Sequence, residues 1–202
     1  MKNILKLGLV LTLYAVAACV GLAFVYSGTE KIIAQRQQAD LEAALKALFP
    51  GLEGYKDITG ELVSPDGAVE FEGQYGILRG EALIGAAIRA SGASYGGKVV
   101  ILVGVGIDGK ITGVKILETS DTPGLGANAA SPTYYVDRAR KITFYGQFTG
   151  KSVTDPFRVK EDVAAITAST ITSRAITDAV RASIAAASAW LAANTGAEQG
   201  AP

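Results

Sequence analysis

The chain has 202 residues, 49% of them hydrophobic, and its 19 basic and 19 acidic side chains cancel to a formal net charge of zero. This length accommodates one membrane segment and a single domain with a core, and no block of Lys or Arg indicates a nucleic-acid partner. With no histidine and one cysteine, the chain excludes histidine-dependent catalysis, haem and zinc sites, iron–sulfur clusters and an internal disulfide; a redox role would require a bound organic cofactor.

The first predicted element is a membrane helix. An uncharged stretch runs from Leu7 to Tyr26 and matches the roughly 20 residues that a helix needs to cross a bilayer. Two lysines precede it and the first charge after it is acidic, so the positive-inside rule places residues 1–6 in the cytoplasm and the rest of the chain outside the inner membrane. A cleaved signal peptide and a lipoprotein signal at Cys19 are the alternatives. Because the apolar run continues past Cys19, an uncleaved anchor is favoured.

A linker helix is predicted to follow over residues 27–50. Ser27 and Glu30 have the spacing of a capping box, which starts a helix. Apolar residues then recur at helical intervals until Pro50 and Gly51 end the pattern.

Strands dominate the next part of the chain. Residues 51–80 alternate short strand patterns with Gly and Pro, as in Val69 to Glu72. Asp108-Gly109 lies between the β-branched runs 98–107 and 110–117, and this dipeptide predicts a type I′ turn in a central antiparallel hairpin.

Two glycine-rich turns flank the predicted hairpin. The first is Ser94-Tyr95-Gly96-Gly97, and the second is Thr122-Pro123-Gly124-Leu125-Gly126, which directly follows Asp121. Glycine lets backbone amides approach a ligand closely. Each turn taken alone is also typical of ordinary surface loops.

The last third of the chain is predicted to contain aromatic strand segments over residues 141–151, and then a long helix from Ser173 to Ala193. Trp190 on this helix is predicted to pack in the core rather than against a flavin. Residues 195–202 are predicted to be a disordered tail.

A run of hydroxyl side chains, residues 167–173, stands just before that helix. Ser and Thr favour helix starts for local capping alone. The free N–H groups and positive end of a helix also bind phosphate, so the run is a candidate phosphate or phosphoester site.

Taken in this order, the anchor, the two turns, the hairpin and the hydroxyl run resemble the family of FMN-binding domains found in the RnfG subunit of the Rnf complex and in its counterpart in the sodium-pumping NADH:quinone oxidoreductase. The resemblance implies an α+β fold, with a transmembrane helix followed by one extracytoplasmic FMN-binding domain, residues 51–194. Its mainly antiparallel sheet would be flanked by helices.

The resemblance also implies one FMN per chain, attached by a flavin transferase through its phosphate to Thr170, with Thr167 and Thr172 as alternative acceptors. It implies neither a catalytic residue nor a metal. The chain departs from the family pattern at Asp121, Ala164, Ala168 and Ser169. The other implied cofactor contacts are Thr167, Ser169, Thr172, Ser173, Thr122, Gly124, Leu125, Gly126, Tyr95, Gly96 and Gly97.

The length between anchor and flavin motif favours the RnfG subunit. This assignment implies an electron relay without independent turnover, in a membrane complex that couples electron flow between ferredoxin and NAD⁺ to sodium or proton translocation. Neighbouring flavin and iron–sulfur subunits would be its partners. The alternatives are the counterpart subunit of the quinone reductase, a membrane-anchored structural module without flavin, and an independent extracytoplasmic reductase.

Overall fold

A computed structural model describes residues 2–198, which divide between two compact units, Met1–Ala43 and Ala44–Pro202. In chain order, the strands lie between two long helices. The elements are α1 Lys2–Leu48, β1 Gly54–Asp57, β2 Val69–Arg79, β3 Ala82–Ser94, β4 Gly97–Gly106, β5 Ile111–Thr119, β6 Tyr135–Asp137, β7 Ile142–Thr143 and α2 Thr170–Glu198. Short 3₁₀ helices lie at Gly126–Ala130 and Gly146–Phe148.

Helix α1 is continuous, so the predicted new helix start at Ser27 is wrong. The Thr29 hydroxyl donates to the carbonyls of Val25 and Tyr26, at 2.9 and 3.1 Å, as it does inside a helix. Gly28, next to Thr29, lowers the stability of the helix by only about 1 kcal/mol relative to alanine, which is too little to break it. Among the described residues, α1 is the one helix long and apolar enough to cross a membrane, and an 18-residue window of it has a mean hydropathy of 2.3.

Strands β1 to β5 form one antiparallel sheet in chain order. In its centre Val103 of β4 pairs with Ile88 of β3 and Val114 of β5. Strand β4 is buried from Val99 to Gly106, since both faces of the sheet are covered. The predicted α+β class and the predicted hairpin are confirmed.

The turn of that hairpin differs from the prediction. Gly109 has a φ of 69°, and within this described turn it is the only residue with positive φ, whereas a type I′ turn needs two. The Gly106 N–H donates to the Lys110 carbonyl at 2.9 Å, which leaves a three-residue loop. The Asp108 carboxylate accepts from the Lys110 N–H at 3.2 Å and stabilises this longer loop.

The core lies between the sheet and α2. Gly76 of β2 lies beside Trp190, and Gly92 of β3 lies beside Ala175, so small residues let the helix approach the strands. Trp190 packs against the core and donates from Nε1 to the Glu61 carboxylate at 2.9 Å. Its predicted role in packing is confirmed.

The predicted tail begins inside α2. Residues 195–198 are helical, and the Thr195 hydroxyl donates to the Leu191 carbonyl at 2.6 Å. The prediction of disorder is therefore wrong for these four residues, because the alanine-rich helix simply continues. Residues 199–202 lie outside the described residues.

The aromatic segment is mostly irregular rather than β. Only Ile142–Thr143 forms a strand, while Phe144, Phe148 and Phe157 are at most 1% exposed in loop or 3₁₀ backbone. The Phe148 ring meets Phe144 edge-on at 5.8 Å and stacks on Phe157 at 6.4 Å. Burial of these rings, and not strand pairing, organises the segment, so the predicted aromatic strands are wrong.

Asp162 holds the loop that leads from the aromatic segment to the hydroxyl run. Its carboxylate accepts hydrogen bonds from the N–H groups of Phe157 and Arg158 and from the Lys151 ammonium at 2.9 Å. Partial burial raises the pKa of this carboxyl, but the Arg158 N–H and Lys151 outweigh that effect. The pKa of Asp162 therefore lies below its ordinary value of 3.8.

Asp162→Asn is expected to destabilise the domain by about 1–3 kcal/mol at neutral pH, because the charge-assisted hydrogen bonds are lost. A lowered folded-state pKa gives stability that is present above the unfolded-state pKa, about 3.9, and is lost as the pH falls through the folded-state pKa. Denaturant unfolding from pH 7 to 2 should therefore show a shallower loss of stability in the variant. Glu161→Gln, at a neighbouring exposed carboxylate, is the control and should retain the wild-type slope. Equal slopes in Asp162→Asn and wild type would contradict the prediction.

Candidate functional site

The β3–β4 turn is the first part of a cleft. Ser94 pairs with Gly97 across the turn, and its hydroxyl donates to the Gly97 carbonyl at 3.0 Å. Tyr95 at the tip is 76% exposed. The turn therefore presents an aromatic ring and backbone at the end of two central strands.

The loop after β5 is the second part. The Leu125 N–H donates to the Thr122 carbonyl at 3.1 Å, and Gly124 has a φ of 80°. Proline followed by a glycine with positive φ is the pattern of a type II turn. The turn holds Leu125 outward, 42% exposed, and the chain then enters the 3₁₀ helix at Gly126.

Asp121 joins these two parts. One carboxylate oxygen, Oδ1, accepts the Gly96 N–H at 2.6 Å. A side chain at Gly96 would meet the Ser120 carbonyl at 2.5 Å, so only glycine fits this approach. The other carboxylate oxygen, Oδ2, is buried and has no hydrogen-bond partner among the described residues.

The start of α2 is the third part. Its first intrahelical bond runs from the Ser173 N–H to the Ser169 carbonyl at 3.0 Å, so the N–H groups of Thr170, Ile171 and Thr172 have no partner within the helix. The Ser173 hydroxyl donates to the Ser169 carbonyl and accepts the Ile166 N–H, at 2.9 and 3.0 Å. These bonds fix the chain as it enters the helix.

The three parts surround one cleft of ≈ 450 Å³. Its volume lies within the range of about 300–1,000 Å³ that is usual for small-molecule sites. Seven residues predicted as cofactor contacts line it, together with three that were not. The lining is Tyr95, Asp121, Thr122, Leu125, Gly126, Ala168, Ser169, Thr170, Ile171 and Thr172.

Five other predicted contacts do not line the cleft: Gly96, Gly97, Gly124, Thr167 and Ser173. The Gly96 N–H donates to Asp121, and Gly124 supplies the positive φ of the turn after Pro123. The Thr167 N–H donates to the Tyr134 hydroxyl at 3.3 Å, and the Ser173 side chain is fully buried with its hydrogen bonds made inside the chain. Sequence reasoning missed Asp121 as a lining residue, although its position next to the Pro-Gly turn was a usable signal.

Two protein-family models match parts of this chain. A family model described as FMN-binding domain matches residues 94–185, which begin at the β3–β4 turn and end within α2. A second model, described as RnfG N-terminal region, matches residues 1–48, the length of α1. The two matches together therefore include the helix and all three parts of the cleft.

Relatives match almost the whole chain. The G subunit of the Na(+)-translocating ferredoxin:NAD(+) oxidoreductase complex of Acetobacterium woodii is 35% identical, over 91% of each chain. The chain belongs to the RnfG family of Rnf complex subunits. The G subunit of the ion-translocating oxidoreductase complex of Methanosarcina acetivorans is 27% identical over 91% of this chain and 94% of its own. The G subunit of the proton-translocating ferredoxin:NAD(+) oxidoreductase complex of Clostridium ljungdahlii is 29% identical over 81% and 80%.

The cleft of this RnfG family member suits FMN. The free N–H groups at the helix start are donors for a phosphate, and so is the Thr172 hydroxyl, which has no hydrogen-bond partner among the described residues. Tyr95, Leu125 and Ile171 are large exposed apolar side chains on its walls. Asp121 lines the same cleft, and its buried Oδ2 has no hydrogen-bond partner among the described residues. These residues fit a ligand that has an anionic end and a flat, mostly apolar ring.

Ala168 lies at a bend in the backbone just before α2. Its φ is 60°, in the left-handed region that glycine adopts without strain and that residues with a Cβ rarely adopt. The hydroxyl run therefore enters α2 through a bend that disfavours alanine by about 1–2 kcal/mol.

Ala168→Gly is accordingly expected to stabilise the domain by about 1 kcal/mol, because relief of the strain outweighs the added freedom of the unfolded chain. Chemical denaturation of the full chain in detergent measures this change. Ala164→Gly, at an exposed position without positive φ, is the control and should be neutral or destabilising. Destabilisation by Ala168→Gly would show that the bend is not strained.

Proposed function

We propose that this chain carries electrons within an Rnf complex on one FMN, which is esterified through its phosphate to the Thr170 hydroxyl. Membership of the RnfG family makes the chain a redox subunit of an ion-translocating oxidoreductase, and its FMN-binding domain identifies the cofactor. The covalent bond, its position and the partners are the content of the proposal.

The position of Thr170 is the observation that carries this proposal. Thr170 lines the cleft, is the first residue of α2 and is only partly buried. Thr172 is 1% exposed, so a transferase would not reach its hydroxyl, and Thr167 is exposed but lies off the cleft. Within the hydroxyl run, Thr170 alone combines an accessible threonine hydroxyl with a place in the cleft.

The start of α2 supplies the electrostatics. A phosphodiester on Thr170 retains one negative charge, and a helix N-terminus stabilises such an anion by about 0.3–1 kcal/mol, rising to about 2 kcal/mol where the site is partly buried. The Thr172 hydroxyl, which has no partner in the described part of the chain, would donate to the same group. These contacts hold the phosphate end of the cofactor.

The two turns supply the rest of the site. Tyr95 and Leu125 offer apolar surface to a ring, and both are exposed enough for a partner to approach. FMN, when bound, accepts and donates electrons one at a time. The chain contributes the attachment and the surroundings of the ring, while donor and acceptor are the flavin and iron–sulfur subunits of the complex.

We further propose the arrangement in the bacterial inner membrane. Helix α1 would cross it once through residues 7–26, with residues 1–6 in the cytoplasm and the FMN-binding domain outside. Covalent attachment by a flavin transferase suits this location, because FMN lost outside the membrane would not return to the cytoplasmic pool.

Intact mass and in-gel flavin fluorescence of the protein from its native membranes test the proposal. The expected mass exceeds that of the chain by one FMN less one water, and the band should fluoresce after denaturation. A flavin lost on denaturation would contradict the covalent bond. A chain with no flavin at all would instead support a structural module.

A further inference from the structure

Asp121 carries an unexplained buried oxygen. The residue is 7% exposed, and its Oδ2 atom has no hydrogen-bond partner among the described residues. Buried polar atoms in native proteins are nearly always paired, and an unpaired one costs about 1–3 kcal/mol. The hydrogen bond to Gly96 uses only Oδ1, so it does not account for Oδ2.

The surroundings of Asp121 indicate which donor would form the missing hydrogen bond to Oδ2. Asp121 lines the cleft together with Tyr95 and Leu125, which come from the two turns. The phosphate donors, by contrast, lie at the start of α2. The wall that contains Asp121 is therefore suited to the ring of the cofactor, and an oxidised flavin ring has one N–H, on its pyrimidine side.

We propose that Asp121 contacts the flavin directly, with Oδ2 accepting a hydrogen bond from a ring N–H, and that its carboxylate lowers the reduction potential of the bound FMN. This inference rests on the proposed function. A negative charge beside the ring disfavours the addition of electrons, so the carboxylate stabilises the oxidised form. The same side chain thus holds the two turns together and sets the electronic surroundings of the ring.

Asp121→Asn separates the two roles. The Asn oxygen still accepts the Gly96 N–H, while an NH₂ group, a donor, replaces Oδ2. The holoprotein of this variant is expected to keep its covalent FMN, to show a higher midpoint potential in a spectroelectrochemical titration, and to have a shifted visible absorption band. Asp121→Glu retains a carboxylate and should stay closer to wild type.

Asp155→Asn is the charge-matched control, because that carboxylate does not line the cleft, and its potential should equal that of wild type. An unchanged potential and spectrum in FMN-loaded Asp121→Asn would overturn the inference. Loss of covalent FMN from folded Asp121→Asn would also overturn it, because this variant keeps the hydrogen bond to Gly96 and is expected to retain its FMN. Failure of the proposed function is distinct, since the wild type itself would then lack covalent FMN.

Discussion

Thr170→Val is expected to abolish covalent FMN while leaving the domain folded. Valine has nearly the shape of threonine but no hydroxyl, so the phosphoester cannot form. The cap of α2 is unaffected, because the Ser169 carbonyl and the Ser173 side chain hold the start of the helix. Intact mass should show the bare chain, and the in-gel fluorescence should disappear.

Two matched variants make the result specific. Thr167→Val, outside the cleft, should retain its FMN and its fluorescence. Thr172→Val should retain the ester, since it removes only the proposed donor to the phosphate. If Thr170→Val kept its flavin and one of the other variants lost it, the attachment would lie at that other threonine, and the assignment to Thr170 would be wrong.

The same variant should interrupt electron flow in the assembled complex. Membranes that contain Thr170→Val are expected to lose ferredoxin-driven reduction of NAD⁺, while immunoblots show the protein at its normal level. Full activity in membranes without covalent FMN on this chain would contradict the relay function, whatever the site of attachment.

Phe148→Ala is expected to destabilise the domain by about 3–5 kcal/mol, because it removes a fully buried ring and leaves a cavity. Phe148 contacts both Phe144 and Phe157, so it is central to the irregular segment that replaces the predicted strands. Domains are stable by only about 5–15 kcal/mol, so this loss is a large part of the total. Denaturant unfolding of the full chain in detergent measures the change.

Tyr95→Ala is the matched control for an aromatic side chain. Tyr95 is 76% exposed, so its removal should change the free energy of unfolding by less than about 0.5 kcal/mol. A Phe148→Ala protein within about 1 kcal/mol of wild type would mean that the segment 142–157 contributes little to the core.

Local patterns alone predicted several elements correctly. The alternation at Val69 to Glu72 predicted a strand, and the β-branched runs around Asp108-Gly109 predicted the central hairpin. These succeed because side-chain periodicity and turn chemistry act over a few residues. The hydroxyl run at the helix start was recognisable for the same reason, since helix starts have local requirements. The predicted start at Ser173 was wrong, because α2 begins at Thr170 and the last four residues of the run form its first turn.

Other features depended on what surrounds a residue. The capping pattern at Ser27 did not start a helix, because the preceding turns were already helical. The aromatic residues 144–157 are buried without forming a long strand, because burial constrains the rings and not the backbone. The bend at Ala168 depends on the path of the chain into α2, and only its φ of 60° showed it.

The sequence by itself determined the length and apolar character of the first helix, the antiparallel hairpin and the three motifs that resemble an FMN-binding domain. Only the tertiary structure brought residues of those motifs, 94–97, 121–126 and 167–173, around one cleft with Thr170 in its lining. It also buried Asp121 with one oxygen paired and one unpaired among the described residues. The physical reason is that periodicity and turns are local, whereas a cleft is made by packing between segments far apart in the chain.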